Sequence, residues 1–344
     1  PVLDDMRVAL PTIKPSVFLA VPRVWEKFKA GLQAKIEENP KKDLIDKAIN
    51  NGLEKVDYEQ RGESVPLGVK IKDAVFAKLV FSKLKGPLGI IDTEYFVTAA
   101  APMNPDVHKW FHAIGVDITE IYGMTEDTGP CTVGITKNAL IDFGEKLKAA
   151  GVPIPKVSNP IGKVGLPIAG TEVRIEEDGE LCMRGSHVTQ GYYKDEEQTA
   201  ETFDSEGWLH TGDIGEVDPE DGYLKITDRK KDIIVSAGGD NVSPAKIENI
   251  INNTIEIDQC MVYGDKKNYL VALVVPNKEF LKEKEKINNI VENINKKLTQ
   301  VEKIKKIQLI DENFSIENGL LTPTMKVKRK KVTEKYKKEL ENLY

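Results

Sequence analysis

Between Glu94 and Gly123 the chain reads strand, helix, strand, joined by only a few residues. This segment narrows the possible folds more than any other. EYFVTAAAP is an apolar run that enters a loop of small residues. PDVHKWFHAIG has helical spacing and a glycine stop at Gly115. DITEIYG is apolar again. Strands linked through a helix in this way pair in parallel, with a right-handed crossover. Ligands of such sheets sit at the carboxyl ends of the strands. Both strands here end in small or polar residues, AAAP and YGMTE.

The flanks place this unit in a two-part α/β protein, as 344 residues allow. Residues 1–90 read as mostly helical. Trp25, Phe28, Leu32 and Ile36 recur at helical spacing behind Pro22, and Ile71/Val75 with Phe76/Val80 mark a second stripe. Glu37 to Gly68 is charged and weakly patterned, which suggests a solvated hairpin. From Gly162 the chain turns β-rich, with hairpin turns at Glu177-Asp178-Gly179 and Glu220-Asp221-Gly222. After RKKD a compact tail follows. SPAKIENIINN is a helix capped by Ser243, MVYGDKKNYLVALVVP a strand pair, and Lys278 to Ile307 a Lys/Glu-rich helical stretch. The division is expected at residues 1–229 and 230–344.

The net charge of −6 argues against a nucleic-acid binder. No apolar run reaches the ~18 residues of a membrane span, and PVLDDMRVALP has no signal-peptide core. Cys131, Cys182 and Cys260 are far apart and odd in number, which fits buried thiols in a reducing cytoplasm. Residues 278–344 carry a net +6. A solvated face is the plain reading, and contact with an anionic ligand or a membrane surface the sharper one. The start at Pro1 reads as a piece of something longer.

Several residues point to phosphate and nucleotide chemistry. Thr125 and Glu126 follow a strand directly. A hydroxyl can donate to phosphate while the carboxylate anchors Mg²⁺. Tyr122 can stack on a base, and Gly123 lets the backbone approach a ligand. Asp213 sits in a turn, placed to accept from ribose hydroxyls. Arg229 ends a hairpin strand and can donate to the same sugar. Gly238 and Gly239 would let a narrow substrate pass, and Lys326 follows a Pro-containing turn. Each has a plainer reading: a turn pair for Thr125-Glu126, a turn cap for Asp213, one more solvated lysine for Lys326. His108 and His112 stand at metal-ligand spacing, but Lys109 stands where H-E-x-x-H has its glutamate, and no zinc site is expected.

Together these motifs resemble the AMP-forming adenylating superfamily, and within it the C-terminal part of a long-chain acyl-CoA synthetase. YGMTE resembles the Tyr-Gly-x-Thr/Ser-Glu motif. GWLHTGDIG…DRKKD resembles the fatty-acyl-CoA synthetase signature. VPRVWEKF resembles the segment whose Trp gates an acyl tunnel. AGGDNVSPAKIE is nearer bubblegum-type and related bacterial long-chain enzymes.

The resemblance implies an incomplete large N-terminal α/β domain, a parallel sheet plus a β-rich distorted barrel, followed by a small mobile α+β lid. It implies ATP-dependent activation of a long-chain fatty acid to acyl-AMP, with Mg²⁺, and transfer to coenzyme A. Ala100, Ala101, Glu120, Ile121, Tyr122, Gly123 and Met124 would line the adenine and acyl-adenylate. Thr125 and Glu126 would bind phosphate and Mg²⁺, and Asp213 and Arg229 the ribose. Lys231 would be the hinge, Gly238 and Gly239 would border the CoA tunnel, and Lys326 would be the adenylation lysine. Trp25 would be the tunnel gate, although a Trp at helical spacing with Phe28 and Leu32 is more often core than gate. Ala99 stands where the family often has Gly, and Asp127 where Thr or Ser is usual. The family's phosphate loop would lie upstream of Pro1, so residues 1–344 alone are expected to make no acyl-CoA from ATP. An acyl-AMP ligase loading a carrier protein, and a non-catalytic nucleotide- or acyl-binding module, stay open. So does peripheral membrane contact. Oligomeric state is not legible.

Overall fold

The computed structural model describes residues 3–137, 139, 145–146, 148–149, 155–254, 256–277, 284–322 and 325–344. The chain divides into two compact units: residues 1–211 with 215–226, and residues 212–214 with 227–344. The division runs through two strands, Leu209–Val217 and Leu224–Arg229.

A mixed five-stranded sheet organises the first unit, in the order β1 (Val17–Ala20), β2 (Tyr95–Thr98), β3 (Ile118–Met124), β4 (Gly129–Val133) and β5 (Leu166–Pro167). β1, β2 and β3 run parallel, and β4 and β5 are antiparallel additions. The expected strand–helix–strand unit is β2, the helix Pro105–Ala113 and β3. Asn104 caps that helix by accepting from Asp106 N–H at 2.8 Å, and Pro105 takes the first position, where no N–H is needed.

Three expectations for residues 1–90 need correction. Val17–Ala20 is a strand: it pairs residue for residue with Tyr95–Thr98, and four residues are too few to show a period. The segment expected as a solvated hairpin contains a 19-residue helix, Lys42–Gln60. Its buried face is Ile45, Ala48, Ile49, Asn51, Gly52 and Val56. Small residues make this face look unpatterned, yet they allow close approach. A Cβ at position 52 would lie 2.1 Å from the carbonyl oxygen of Ala113 on the neighbouring helix. Ile71 and Val75, expected on a buried stripe, are exposed, whereas Val80 is buried.

The β-rich part is an open four-stranded sheet, not a closed barrel. Its order is β6 (Glu172–Ile175), β7 (Glu180–Arg184), β8 (Leu209–Val217) and β9 (Leu224–Arg229).

The second unit is built on β13 (Leu270–Pro276), flanked by β12 (Ile257–Tyr263) and β14 (Ile304–Leu309). All seven β13 residues are buried, because alternate side chains enter two different cores. Ala272 and Val274 join Ile247, Ile287 and Val291. Val271, Leu273 and Val275 join Phe314, Leu320 and Val332. The expected Lys278–Ile307 helix is shorter. Lys284–Asn295 is helical, while Ile304–Leu309 is a strand parallel to β13, and residues 278–283 lie outside the described residues. Ser243 accepts from Lys246 N–H at 3.3 Å, as expected for the helix Pro244–Ile251. Among the described residues no helix is long and apolar enough to cross a membrane.

Candidate active site

In the first unit the candidate residues gather where β2 and β3 end. Ala100 and Ala101 are exposed in the loop after β2, and Ala100 has φ +74°. A non-glycine residue held in the left-handed region carries strain that functional loops often store. At the end of β3, a Cβ on Gly123 would lie 1.8 Å from the Gly129 carbonyl oxygen, so the strand needs glycine there. Thr125, Glu126 and Asp127 form a single 3₁₀ turn. Asp127 tightens it by accepting from Met124 N–H at 3.0 Å and Gly129 N–H at 3.3 Å. Thr125 is left exposed and Glu126 half-buried.

Two partners of this turn were not legible in sequence. Tyr192 donates its hydroxyl to Glu126 Oε1 at 2.6 Å, and Thr189 N–H donates to the Glu126 carbonyl at 2.7 Å. The carboxylate as acceptor raises the Tyr192 pKa. Nothing in GYYK marks Tyr192, since the contact spans 66 residues. Glu126 and Asp127 are hard oxygen donors beside a hydroxyl, a set that suits Mg²⁺ rather than a softer metal.

Glu120 is buried under the sheet, its Oε1 lying 3.2 Å from His108 Nδ1. His108 Nε2 donates to the Ile118 carbonyl at 2.7 Å, and His112 Nε2 lies 3.1 Å from the same oxygen. Both imidazoles therefore turn to a backbone acceptor. Burial, with His108 adding to it, pushes the His112 pKa down to about 3. Folded His112 stays neutral while the unfolded chain protonates near 6.5, so the unfolded state binds more protons below that pH. Its contribution is present above about pH 6.5 and is lost toward pH 3 at up to ~1.4 kcal/mol per unit. Asp117, whose pKa burial raises, works in the opposite sense. His112→Gln should therefore flatten the fall of the urea midpoint between pH 7 and 5. Equal slopes in both proteins would show that His112 is not held neutral.

The second unit brings together residues more than a hundred positions apart. Asp213 is buried and accepts from Arg229 Nε at 3.0 Å. Lys326 is electrostatically coupled to both and to Asp232. Burial chiefly, then Arg229, lowers the Lys326 pKa, and the two aspartates oppose this. Lys326 stands in a hairpin-like turn. Its N–H donates to Thr322 Oγ1 at 3.0 Å, and its carbonyl accepts from Thr322 N–H at 2.8 Å. Pro323 and Thr324 of that turn lie outside the described residues. Asp232 was passed over in sequence although it ends the DRKKD run.

Lys231 is exposed in the turn where Asp232 and Ile233 N–H donate to the Arg229 carbonyl, at 2.9 and 3.1 Å. Gly238 and Gly239 lie at the tip between β10 (Ile234–Val235) and β11 (Asn241–Val242), Gly239 with φ +88°. Trp25 is 0% exposed among Phe18, Phe28, Phe96 and Phe111 in the first unit.

Comparison with known proteins agrees with this organisation. Residues 2–193 match the model of the AMP-binding enzyme family, and residues 231–344 that of the AMP-binding enzyme C-terminal domain. A putative fatty-acid–CoA ligase, fadD11, of Mycobacterium tuberculosis is 33% identical over 98% of this chain and 59% of its own. Long-chain-fatty-acid–CoA ligase 5 of Mus musculus is 33% identical over 99% of this chain and 50% of its own. The chain thus spans between half and three-fifths of the length of these relatives. The adenylation domain of a carboxylate reductase from Mycobacterium chelonae has the same fold. Its TM-score is 0.70 at 22% identity, over 99% of this chain and 48% of that one. A turn that presents a hydroxyl and a carboxylate after a parallel strand, a lysine set beside an Asp–Arg pair, and two family models that together cover most of the sequence place this chain in the AMP-binding enzyme family.

Proposed function

We propose that the protein containing this chain is a long-chain fatty acid–CoA ligase that forms AMP. The observation that carries this reading is the gathering of Asp213, Arg229 and Lys326 in one unit from distant parts of the sequence. A half-buried lysine in the field of an Asp–Arg pair suits charge neutralisation during adenylation. The names of the relatives supply the substrate class. Residues 1–229 belong to the AMP-binding domain in this reading, and 230–344 form a mobile lid that turns about Lys231.

The roles follow from the chemistry of each group. Ala100, Ala101 and residues 120–124 line the adenine and the acyl-adenylate. Asp213 and Arg229 take the ribose hydroxyls. Thr125 donates to phosphate, and Glu126 holds Mg²⁺, which when bound neutralises phosphate charge. Lys326 brings a compact positive charge to the fatty carboxylate and the α-phosphate in the first half-reaction. The carboxylate attacks the α-phosphorus and pyrophosphate leaves. The CoA thiol, passing Gly238 and Gly239, then attacks the acyl carbonyl and AMP leaves. Splitting the reaction suits a lid with two closed positions. Trp25 as gate of the acyl tunnel belongs to the same proposal. So does a cytoplasmic setting, supported by three free, buried cysteines. The basic residues 278–344 would then face an anionic membrane surface, where the acyl chain is delivered.

The test uses the full-length protein with palmitate, ATP, Mg²⁺ and CoA. Fatty-acid-dependent ATP–pyrophosphate exchange and acyl-CoA formation are the expected results. Exchange without CoA turnover would favour a ligase that loads a carrier protein. Absence of exchange would point to a binding module. Asp213→Ala removes charge-assisted hydrogen bonds worth ~1.5–3 kcal/mol and should weaken ATP binding about tenfold or more. Unchanged ATP affinity would remove Asp213 from the nucleotide site.

A further inference from the structure

Glu180, Cys182 and His210 converge in the four-stranded sheet of the first unit. Glu180 and Cys182 stand two apart on β7, so their side chains leave the same face. His210 comes from β8. Cys182 Sγ lies 3.4 Å from His210 Nδ1, and that nitrogen lies 3.3 Å from Glu180 Oε2. One ligand atom from each residue falls within 4.8 Å of the others.

We propose that Glu180, Cys182 and His210 form a binding site for a divalent cation of the zinc class. The spacing fits. Around tetrahedral zinc, with the usual metal–ligand lengths, sulfur and nitrogen stand ~3.6 Å apart and nitrogen and oxygen ~3.4 Å apart. Nδ1 can accept from the thiol or donate to the carboxylate, not both at once, and Glu176 offers the thiol a second acceptor; a cation would hold all three ligand atoms together. Charge balance agrees, since a carboxylate, a thiolate and a neutral imidazole offset a dication. Thiolate with imidazole selects zinc over Mg²⁺ or Ca²⁺.

The surroundings also suit a metal. Asp204 Oδ2 lies 3.9 Å from His210 Nε2, too far for a hydrogen bond but on the side from which a carboxylate can orient a ligating imidazole. Asp204 is itself anchored, its Oδ1 accepting from Glu206 and Trp208 N–H at 2.9 Å each. Arg174 lies 2.5 Å from Glu176 Oε1 and 3.4 Å from Asp204 Oδ2. Glu180 and Cys182 are buried, while the His210 side chain is 30% exposed. That side admits the ion and a water as fourth ligand. The site shares no residue with the proposed nucleotide chemistry and does not depend on it.

The test is cobalt titration of the full-length protein after stripping with EDTA under a reductant. One equivalent of Co²⁺ should produce a near-ultraviolet thiolate-to-cobalt band, bleached by one equivalent of Zn²⁺. Cys182→Ser should lose the band, and Asp204→Asn, which leaves all three ligands in place, should weaken binding about 10–100-fold. Because Cys182→Ser alters a buried position, Zn²⁺ should also raise the melting temperature of the unaltered protein. Absence of a thiolate band in the folded protein at saturating Co²⁺ would overturn the proposal. So would a band that survives in Cys182→Ser, since the ion would then sit on another cysteine.

Discussion

Lys326→Ala in the full-length protein should lower fatty-acid-dependent ATP–pyrophosphate exchange by about 10²–10³-fold, the usual effect of deleting one preorganised group at a developing charge. Transfer from preformed acyl-AMP to CoA should change little, because in the proposed mechanism Lys326 serves only the first closed position. The environment supports so large an effect. Burial and Arg229 both act against the ammonium, and the Asp213 and Asp232 charges favour it. A charge kept half out of water acts more strongly on a substrate than a solvated one. Lys326→Arg should rescue poorly, since a planar fork cannot replace a compact charge between carboxylate and phosphate. If both half-reactions fall equally while the fold is intact, Lys326 is not the adenylation lysine.

Trp25→Ala should destabilise the first unit by ~3–5 kcal/mol, as large-to-small changes in a packed core do. Its ring lies 5.2 Å, centroid to centroid, from both Phe18 and Phe111, edge to face in each case. Its indole N–H donates to the Ala20 carbonyl at 3.3 Å, which ties the helix Pro22–Glu37 to the end of β1. A melting temperature lower by about 10 °C is expected for a unit of this size. Trp25→Phe should recover most of the loss. An unchanged melting temperature with an altered acyl chain-length profile would instead make Trp25 a gate with little structural weight.

Legibility in the sequence followed the range of the interactions. The unit from β2 to β3 could be read because its signals are local: Asn104 and Pro105 start the helix and Gly115 follows its end. The same holds for the hairpin turns and the Ser243 cap. Lys42–Gln60 could not be read, because its buried face uses Ala48 and Gly52, whose value lies in the backbone of another helix. Ile304–Leu309 was likewise taken for helix. Its adjacent Lys305 and Lys306 suit a solvated helix as well as an edge strand, and only pairing with β13 decides.

The candidate site divides along the same line. Residue types and spacing pointed to Thr125, Glu126, Asp213 and Arg229, since a phosphate or ribose needs such groups, whereas only the family motif singled out Lys326 among its neighbouring lysines. Their partners were beyond the sequence. Tyr192 on Glu126 and His108 on Glu120 are contacts across folded distance, and no local pattern encodes them. Likewise Arg229 meets Asp213, and Lys326 comes into their field, only because β8, β9 and the turn at Lys326 converge in one unit. Local sequence chose the chemistry and the elements that carry it. Which side chains face one another, and which charges are held away from water, depended on packing between segments as much as a hundred or more residues apart.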